Sequence, residues 1–344
     1  MSKQATGETL VDLTHKVIRR EHLNETEARA AMDVIMTGAA TDAQIAAFLV
    51  GLRMKGETAA ELVGFTRSLR DKAERFWEGQ PLASTLDTCG TGGDGATTFN
   101  ISTATAFVAA GGGARVAKHG NRSTRGCGSA GVLEALGVNI QMPMDRLRHS
   151  VTEIGFGFLF APRFHGAMKH AMPIRNQLRM PTVFNILGPL ANPALPDFQV
   201  VGVYSEILVD LIAEALLGLG VRHAYVVHGV DGVDEVSISA QTRIVELRDG
   251  AITRRVVAPE DFGIARVPAS AITGGDAAAN AATIENVLKG QRGPHREIVL
   301  LNAAIALTAA GVTETFKEGF HRAIDSINSG RALETLHAVR KVSA

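Results

Sequence analysis

The first quarter of the chain repeats one polar signal ahead of each apolar period. Asn24-x-x-Glu27, Thr41-x-x-Gln44 and Thr58-x-x-Glu61 have the spacing at which a capping oxygen and a side chain three residues on exchange hydrogen bonds with the first turn of a helix. After the second signal, Ile45, Phe48, Leu49 and Leu52 recur on one helical face. Leu62, Phe65 and Leu69 do the same after the third, with Gly38 and Gly56 as C-terminal stops. Short helices with brief loops predict a small antiparallel bundle, and Gly79-Gln80-Pro81 reads as the linker that ends it. From Leu82 onward short apolar or β-branched runs, at 84–88, 114–117, 156–160, 200–203, 224–227 and 243–247, alternate with helical stretches. That alternation predicts an α/β domain with parallel strands and crossover helices. Pro162, Pro173, Pro181, Pro189, Pro193 and Pro196 crowd into one stretch, which reads as a rigid crossing between domains.

Length and composition narrow the class. A chain of 344 residues favours two domains, and 46% apolar against 20% charged residues excludes intrinsic disorder. Only 5% aromatic residues and a balance of 35 basic against 35 acidic side chains argue against a nucleic-acid binder and against an anionic membrane surface. Any anion site must be local. Cys89 and Cys127 are too few for a disulfide scaffold, and no Cys/His cluster suggests zinc. The first thirty residues lack an apolar secretory core, and the longest apolar stretch, 298–312, is interrupted by Asn302 and Thr308. A soluble cytoplasmic protein is expected.

The segment Asp87-Thr-Cys-Gly90-Thr-Gly92-Gly93-Asp94-Gly95 precedes Thr98, Asn100, Ser102, Thr103 and an alanine-rich helix. A strand, a glycine loop and a helix start in that order form an anion cradle, because glycines let backbone N–H groups approach phosphate and the helix dipole adds positive potential. Gly90, Gly92 and Gly95 formally satisfy a dinucleotide fingerprint, yet no acidic residue lies between Asp94 and Glu134 to hold a ribose. Only a variant using Arg115 on a 2′-phosphate stays open, and a P-loop fails for want of Gly-Lys-Ser/Thr. The same acid-free window holds Arg115, Lys118, Arg122 and Arg125. Lys118-His119-Gly120-Asn121-Arg122 falls just after a predicted strand, where the carboxyl edge of a parallel sheet collects ligands. Asp231, Asp234 and Glu235 follow another strand, and adjacent carboxylates there suit Mg2+ alongside substrate phosphates. Arg163, Lys169, Arg175 and Arg179 in the proline-rich stretch are candidates for an acidic co-substrate, and spacing alone does not choose among them.

Together these motifs carry a family likeness. Gly90-Thr-Gly-Gly-Asp94, Thr98-x-Asn100-Ile-Ser-Thr103, Lys118-His-Gly-Asn-Arg122, Phe184-Asn-Ile-Leu-Gly-Pro-Leu-Ala-Asn-Pro193 and Val233-Asp-Glu235 stand in the order and spacing of one family. The chain resembles the anthranilate phosphoribosyltransferases over essentially its whole length. The resemblance implies a nucleoside phosphorylase/phosphoribosyltransferase-like fold: a helical domain, 1–78 with a returning segment near 165–195, hinged to a large α/β domain, 82–344, with a mainly parallel sheet. It implies homodimers through the helical domain. It also implies transfer of the 5-phosphoribosyl group from 5-phosphoribosyl-1-pyrophosphate (PRPP) to anthranilate, with Mg2+, in tryptophan biosynthesis. By motif, Gly90, Gly93, Asp94, Thr98, Asn100, Ile101, Ser102, Thr103, Lys118, His119, Gly120, Asn121, Arg122 and Ser129 would hold PRPP. Ser102, Asp234 and Glu235 would serve Mg2+, and Gly90, Asn121 and Arg175 would face anthranilate. Asp94, Lys118 and His119 would stand closest to the chemistry, which positioning and electrostatics carry more than a general base does, because an aromatic amine is already nucleophilic.

The chain departs from the family pattern at three places. Ser123-Thr-Arg-Gly-Cys-Gly-Ser129 is one residue shorter than the usual serine-rich loop and places Arg125 and Gly126 where serines are expected. His165-Gly166-Ala replaces His-Pro-Ala, and Arg179-Met-Pro181-Thr replaces Gly-x-Arg-Thr, so the acceptor side is altered. Competing readings are a related transferase on another aromatic amine, a pyrimidine-nucleoside phosphorylase, and a non-catalytic nucleic-acid-binding relative. The Asp234-Glu235 pair opposes the phosphorylase, since phosphorolysis has no pyrophosphate to be met by a metal. Zero net charge opposes the nucleic-acid binder.

Overall fold

The computed structural model describes residues 9–92, 98–122 and 127–344. Helices α1 (Leu10–Ile18), α2 (Glu25–Met36), α3 (Asp42–Lys55) and α4 (Ala59–Asp71) form the N-terminal bundle. All three expected capping boxes are present, on Asn24, Thr41 and Thr58, and Thr9 with Asp12 adds a fourth. Gly38 and Gly56 lie just beyond α2 and α3 at φ of +73° and +86°, where a side chain would be strained. Glu61 does more than cap α4. Its carboxylate also accepts from the Leu23 N–H at 2.9 Å and from Lys55 Nζ at 2.9 Å, joining three elements of the bundle.

The larger part is a seven-stranded sheet in the order β3-β2-β1-β4-β5-β6-β7. Its strands are β1 (Thr85–Gly90), β2 (Arg115–Gly120), β3 (Phe156–Phe160), β4 (Phe198–Gly202), β5 (His223–Gly229), β6 (Thr242–Arg248) and β7 (Ala251–Val257). The first five run parallel, as their crossover helices require. The sheet is thus mainly parallel, as expected, and the departure begins at β6, which pairs antiparallel with β5. Only residues 230–241 separate those strands, and they hold no helix to carry a crossover. The seventh strand lies outside the apolar runs that the sequence pattern marks. It pairs antiparallel with β6 through Asp249-Gly250, both at positive φ (47° and 84°), which is the conformation that matches strand twist in a two-residue hairpin.

Helix α5 (Ile101–Gly111) leaves the β1 side of the sheet and is buried almost all round, which explains its run of alanines. Small side chains let the helix Pro294–Ala309 and the C-terminal helix Arg331–Ser343 pack closely on it. Helix α6 (Ser129–Ala135) follows β2. The bundle core is continuous with the other face of the sheet, because Val63 and Leu69 share a cluster with Leu208 and Ile212 of the helix Ile207–Gly218 and with Val201 and Val226. Ala171, Ile174 and Phe184 join the same cluster, so the proline-rich crossing packs against the bundle. Among the described residues no helix is long and apolar enough to cross a membrane.

Candidate active site

Gly90 and Gly202 end β1 and β4 and are register partners at the carboxyl edge of the sheet. Together they make a seat for the loop after β5. A Cβ on Gly202 would lie 1.6 Å from the Asp234 carbonyl oxygen, and one on Gly90 would lie 2.4 Å from Asp234 Oδ2. The Gly92 N–H donates to the same Oδ2 at 3.0 Å, and the Thr91 N–H donates to the Gly202 carbonyl at 2.9 Å. Two bare backbones thus let the acidic loop lie directly on the glycine turn. Asp234 and Glu235 are both half-buried there. Gly202 carries no motif in the sequence, so its part in the seat was not foreseen.

Ser102 stands in the first turn of α5, beside the same edge. Lys118 donates to its Oγ at 3.2 Å and also to the Thr88 carbonyl, while Thr88 Oγ1 donates to the Ser102 carbonyl at 3.2 Å. The Lys118 side chain is almost wholly enclosed, so this cation lies beneath the cradle rather than in an open cleft. Ile101 points into the core and Thr103 is fully buried, which leaves their backbones as the parts able to meet a ligand. Asn100 donates to the Cys127 carbonyl at 2.8 Å and accepts from Asn280 at 3.1 Å. Thr98 bridges to Thr273, which brings the segment 272–280 to the site. Among the expected residues, Gly93 and Asp94 lie outside the described residues, as do Gly95 and the altered positions Arg125 and Gly126.

The motif that begins at Lys118 divides in two. Its outer half, Asn121 and Arg122, is exposed, and Arg122 forms a two-pronged ion pair with Glu134 at 2.6 Å on each prong. Ser129 is half-buried at the start of α6, following Gly128. Gly120 has no room for a side chain, since a Cβ would meet the Phe158 ring at 2.8 Å. The inner half is anchored. His119 donates its backbone N–H to Asp87 Oδ1 at 3.1 Å, and its Nδ1 lies 3.2 Å from the Gly188 carbonyl. A carbonyl only accepts, so Nδ1 carries the ring proton. Nε2 is buried with no hydrogen-bond partner among the described residues, and the ring meets His165 edge-on at 5.2 Å. Burial pushes His119 down to about 3 and His165 to about 4, so both rings are neutral at ordinary pH and His119 is not a ready proton donor. Burial pushes Asp87 up to about 6, against the opposing charge of Lys118.

The crossing at 188–192 is gripped by side chains from four elements. His119 holds the Gly188 carbonyl, Gln199 holds Pro189 at 2.9 Å, Arg70 of α4 holds Leu190 at 2.9 Å, and Asn192 reaches Asp87 Oδ2 and the Ala117 carbonyl, both at 2.8 Å. None of these roles was read from the sequence, because each partner is distant in the chain. On the acceptor side the four basic candidates separate. Arg163 is committed to the Met142 carbonyl at 2.6 Å, while Lys169 and Arg179 are exposed. Arg175 is half-buried with its guanidinium 5.3 Å from the Phe184 ring centre and Nη1 3.6 Å from Met172 Sδ.

Two carboxylates on a loop seated at the glycine turn and a hydroxyl in the first turn of α5 are oxygen ligands of the kind Mg2+ takes, with water and phosphate completing its shell. No grouping of three or more His, Cys, Asp or Glu among the described residues offers a rival metal site. The pattern described as glycosyl transferase family, a/b domain, matches residues 82–333, and the one described as the helical bundle domain matches residues 11–73. The chain is 50% identical to an anthranilate phosphoribosyltransferase of Symbiobacterium thermophilum over 96% of each chain. It is similar in structure to the Thermus thermophilus anthranilate phosphoribosyltransferase, with a TM-score of 0.90 and 41% identity over 96% of this chain and 99% of that one. The enzyme from Saccharomyces cerevisiae in complex with PRPP and Mg superposes with a TM-score of 0.87 and 28% identity over 97% of each. A two-part fold, a glycine-seated acidic loop and near-complete likeness to these enzymes converge on one assignment: the chain belongs to the anthranilate phosphoribosyltransferase family.

Proposed function

We propose the assignment of residues by which this chain carries out its family's reaction, transfer of the 5-phosphoribosyl group from PRPP to the amine of anthranilate with release of pyrophosphate. The observation that carries it is the seating of Asp234 on Gly90 and Gly202, held by the Gly92 N–H, beside the first turn of α5. The α5 N-terminus and Thr98 face the phosphates of PRPP, and Gly93 and Asp94 are assigned to the same binding by their motif. Ser102, Asp234 and Glu235 hold Mg2+, which when bound offsets the charge of the pyrophosphate. Lys118 adds a fixed positive charge beneath the leaving group without needing to reorganise. Arg175 orients the anthranilate carboxylate, and Gly90 and Asn121 bound the acceptor's approach to the anomeric carbon. The chain's contribution is then placement of two reactants and stabilisation of separating charge.

The test is the loss of anthranilate fluorescence on incubation with PRPP and Mg2+, with a chelator control and an Asp234→Asn/Glu235→Gln variant. Loss confined to the intact, metal-supplied protein supports the assignment. Undiminished loss in the variant sinks it, and phosphate-dependent cleavage of uridine in its place would favour the phosphorylase reading. The protein works as a cytoplasmic homodimer in this reading, divided into 1–78 with the returning segment and 82–344. Exposed Val11 and Ile18 on α1 and Met54 on α3 support a pairing face on the bundle. Light scattering on wild type and Met54→Glu checks it, and a wild-type monomer at micromolar concentration refutes it.

A further inference from the structure

Three motifs of the site meet at one buried carboxylate that none of the family likenesses above assigns a role. Asp87 is wholly enclosed on β1, three residues before Gly90. Its Oδ1 accepts from the N–H of His119, which follows Lys118 one residue before the end of β2. Its Oδ2 accepts from Asn192, which ends the crossing and also ties down the Ala117 carbonyl and the Ala194 N–H, each at 2.8 Å. Lys118, equally buried, is the cation nearest in effect to it. A buried carboxylate is tolerated only when its oxygens and charge are met, and here the groups that meet them belong to the glycine strand, the Lys118–Asn121 turn and the crossing. We propose that Asp87 is a positioning residue of the PRPP grip, setting the Lys118 ammonium and the turn after it against the glycine loop by anchoring β1, β2 and the crossing to one another.

This rests on the reading of the site as a PRPP site. Asp87 touches neither substrate, so its effect must reach PRPP through Lys118 and the β2 exit, whereas the Arg175 side of the site is held by other contacts. In Asp87→Asn the new amide offers one acceptor where two donors wait, and its own N–H2 opposes either the His119 N–H or the Asn192 amide. PRPP binding with Mg2+, measured by calorimetry, is expected to weaken by about tenfold or more, with the anthranilate KM within about threefold of wild type. Asp87→Ala should lose more than Asp87→Asn. Asn192→Ala, which leaves the carboxylate and Lys118 in place, should show the same split at smaller size and serves as the deciding variant if Asp87→Asn does not fold. PRPP affinity unchanged in these variants, or equal losses for both substrates with a lowered Tm, overturns the inference and leaves a structural carboxylate. A wild type that binds no PRPP takes down the functional reading and this one together, so the two failures are told apart by the wild-type titration.

Discussion

Replacing Gly202 by alanine puts a methyl carbon 1.6 Å from the carbonyl oxygen and 2.5 Å from the carbonyl carbon of Asp234. Both obstacles are backbone, so no side-chain rotation relieves them. Real Cβ contacts essentially never fall below 3.0 Å, so the loop bearing Asp234 and Glu235 must move off β4 by roughly 1.4 Å (3.0 less 1.6), or the strand must give by as much. Overpacking of this kind costs about 1–3 kcal/mol of stability, small for a chain whose sheet is otherwise untouched. Displacement of the candidate Mg2+ ligands matters more, because misplacing a functional group by an ångström lowers a rate by about a hundredfold. The assay is anthranilate fluorescence with Mg2+ titrated at saturating PRPP, alongside circular dichroism and thermal unfolding. The expected result is a folded protein with a Tm lower by a few degrees, a Mg2+ requirement raised about tenfold or more and kcat down by about two orders of magnitude. A folded Gly202→Ala enzyme with Mg2+ dependence and kcat within twofold of wild type would refute the reasoning, since the seat would then have no part in holding the carboxylates.

Gly90→Ala makes a contrasting case, for the close contacts of its Cβ would be with the Asp234 carboxyl group, at 2.4 Å from Oδ2 and 3.2 Å from Cγ. That group can rotate away at the loss of the Gly92 N–H bond, so a milder rise in Mg2+ requirement than in Gly202→Ala is expected, and an effect as large as that of Gly202→Ala would contradict it. Arg175→Ala should raise the anthranilate KM by about tenfold or more while leaving the PRPP KM within about twofold, as loss of a charge-assisted contact to one substrate requires; parallel losses defeat the role. The folded chain refuses protons on His119 and His165 until about pH 3 and 4, whereas the unfolded chain takes them up near the ordinary histidine value of 6.5, so these two groups lower stability as pH falls below 6.5. Asp87 has the opposite sign, taking its proton near pH 6 when folded and only near 3.8 when unfolded, and offsets one histidine in that window. Urea unfolding should therefore show the stability of wild type relative to His165→Gln narrowing by ~2 kcal/mol between pH 7 and pH 5, and a difference that stays constant would exclude a buried neutral His165.

Signals that act within a few residues were legible from the chain alone. The capping boxes at Asn24, Thr41 and Thr58 involve groups three residues apart, and the structure contains each of them. A strand ahead of Lys118 was legible for the same reason, although it runs on through Lys118, His119 and Gly120 instead of ending before them, and the order of the motifs along the chain carried the family likeness. Asp249-Gly250 was equally local and announces the β6–β7 hairpin, so β7 was available in the sequence and went unread. The adjacent carboxylates Asp234-Glu235 were visible by residue type, and the structure seats Asp234 on the glycine turn.

Tertiary packing decided what each of those residues is free to do. Lys118 and Arg122 are both cations of one motif, yet the fold buries the first under Ser102 and Thr88 and pairs the second with Glu134, twelve residues away on α6. Gly202 is one strand glycine among many until β1, β4 and the loop after β5 converge on it. His119 is neutral because the crossing closes over it, and Asp87 becomes an anchor because Asn192 returns to it from 105 residues downstream. Hydrophobic period and capping chemistry are local and non-specific in their partners, so they fix which elements form. Burial, unpaired hydrogen-bonding groups and close backbone approach depend on which elements end up side by side, and only the folded sheet settles that.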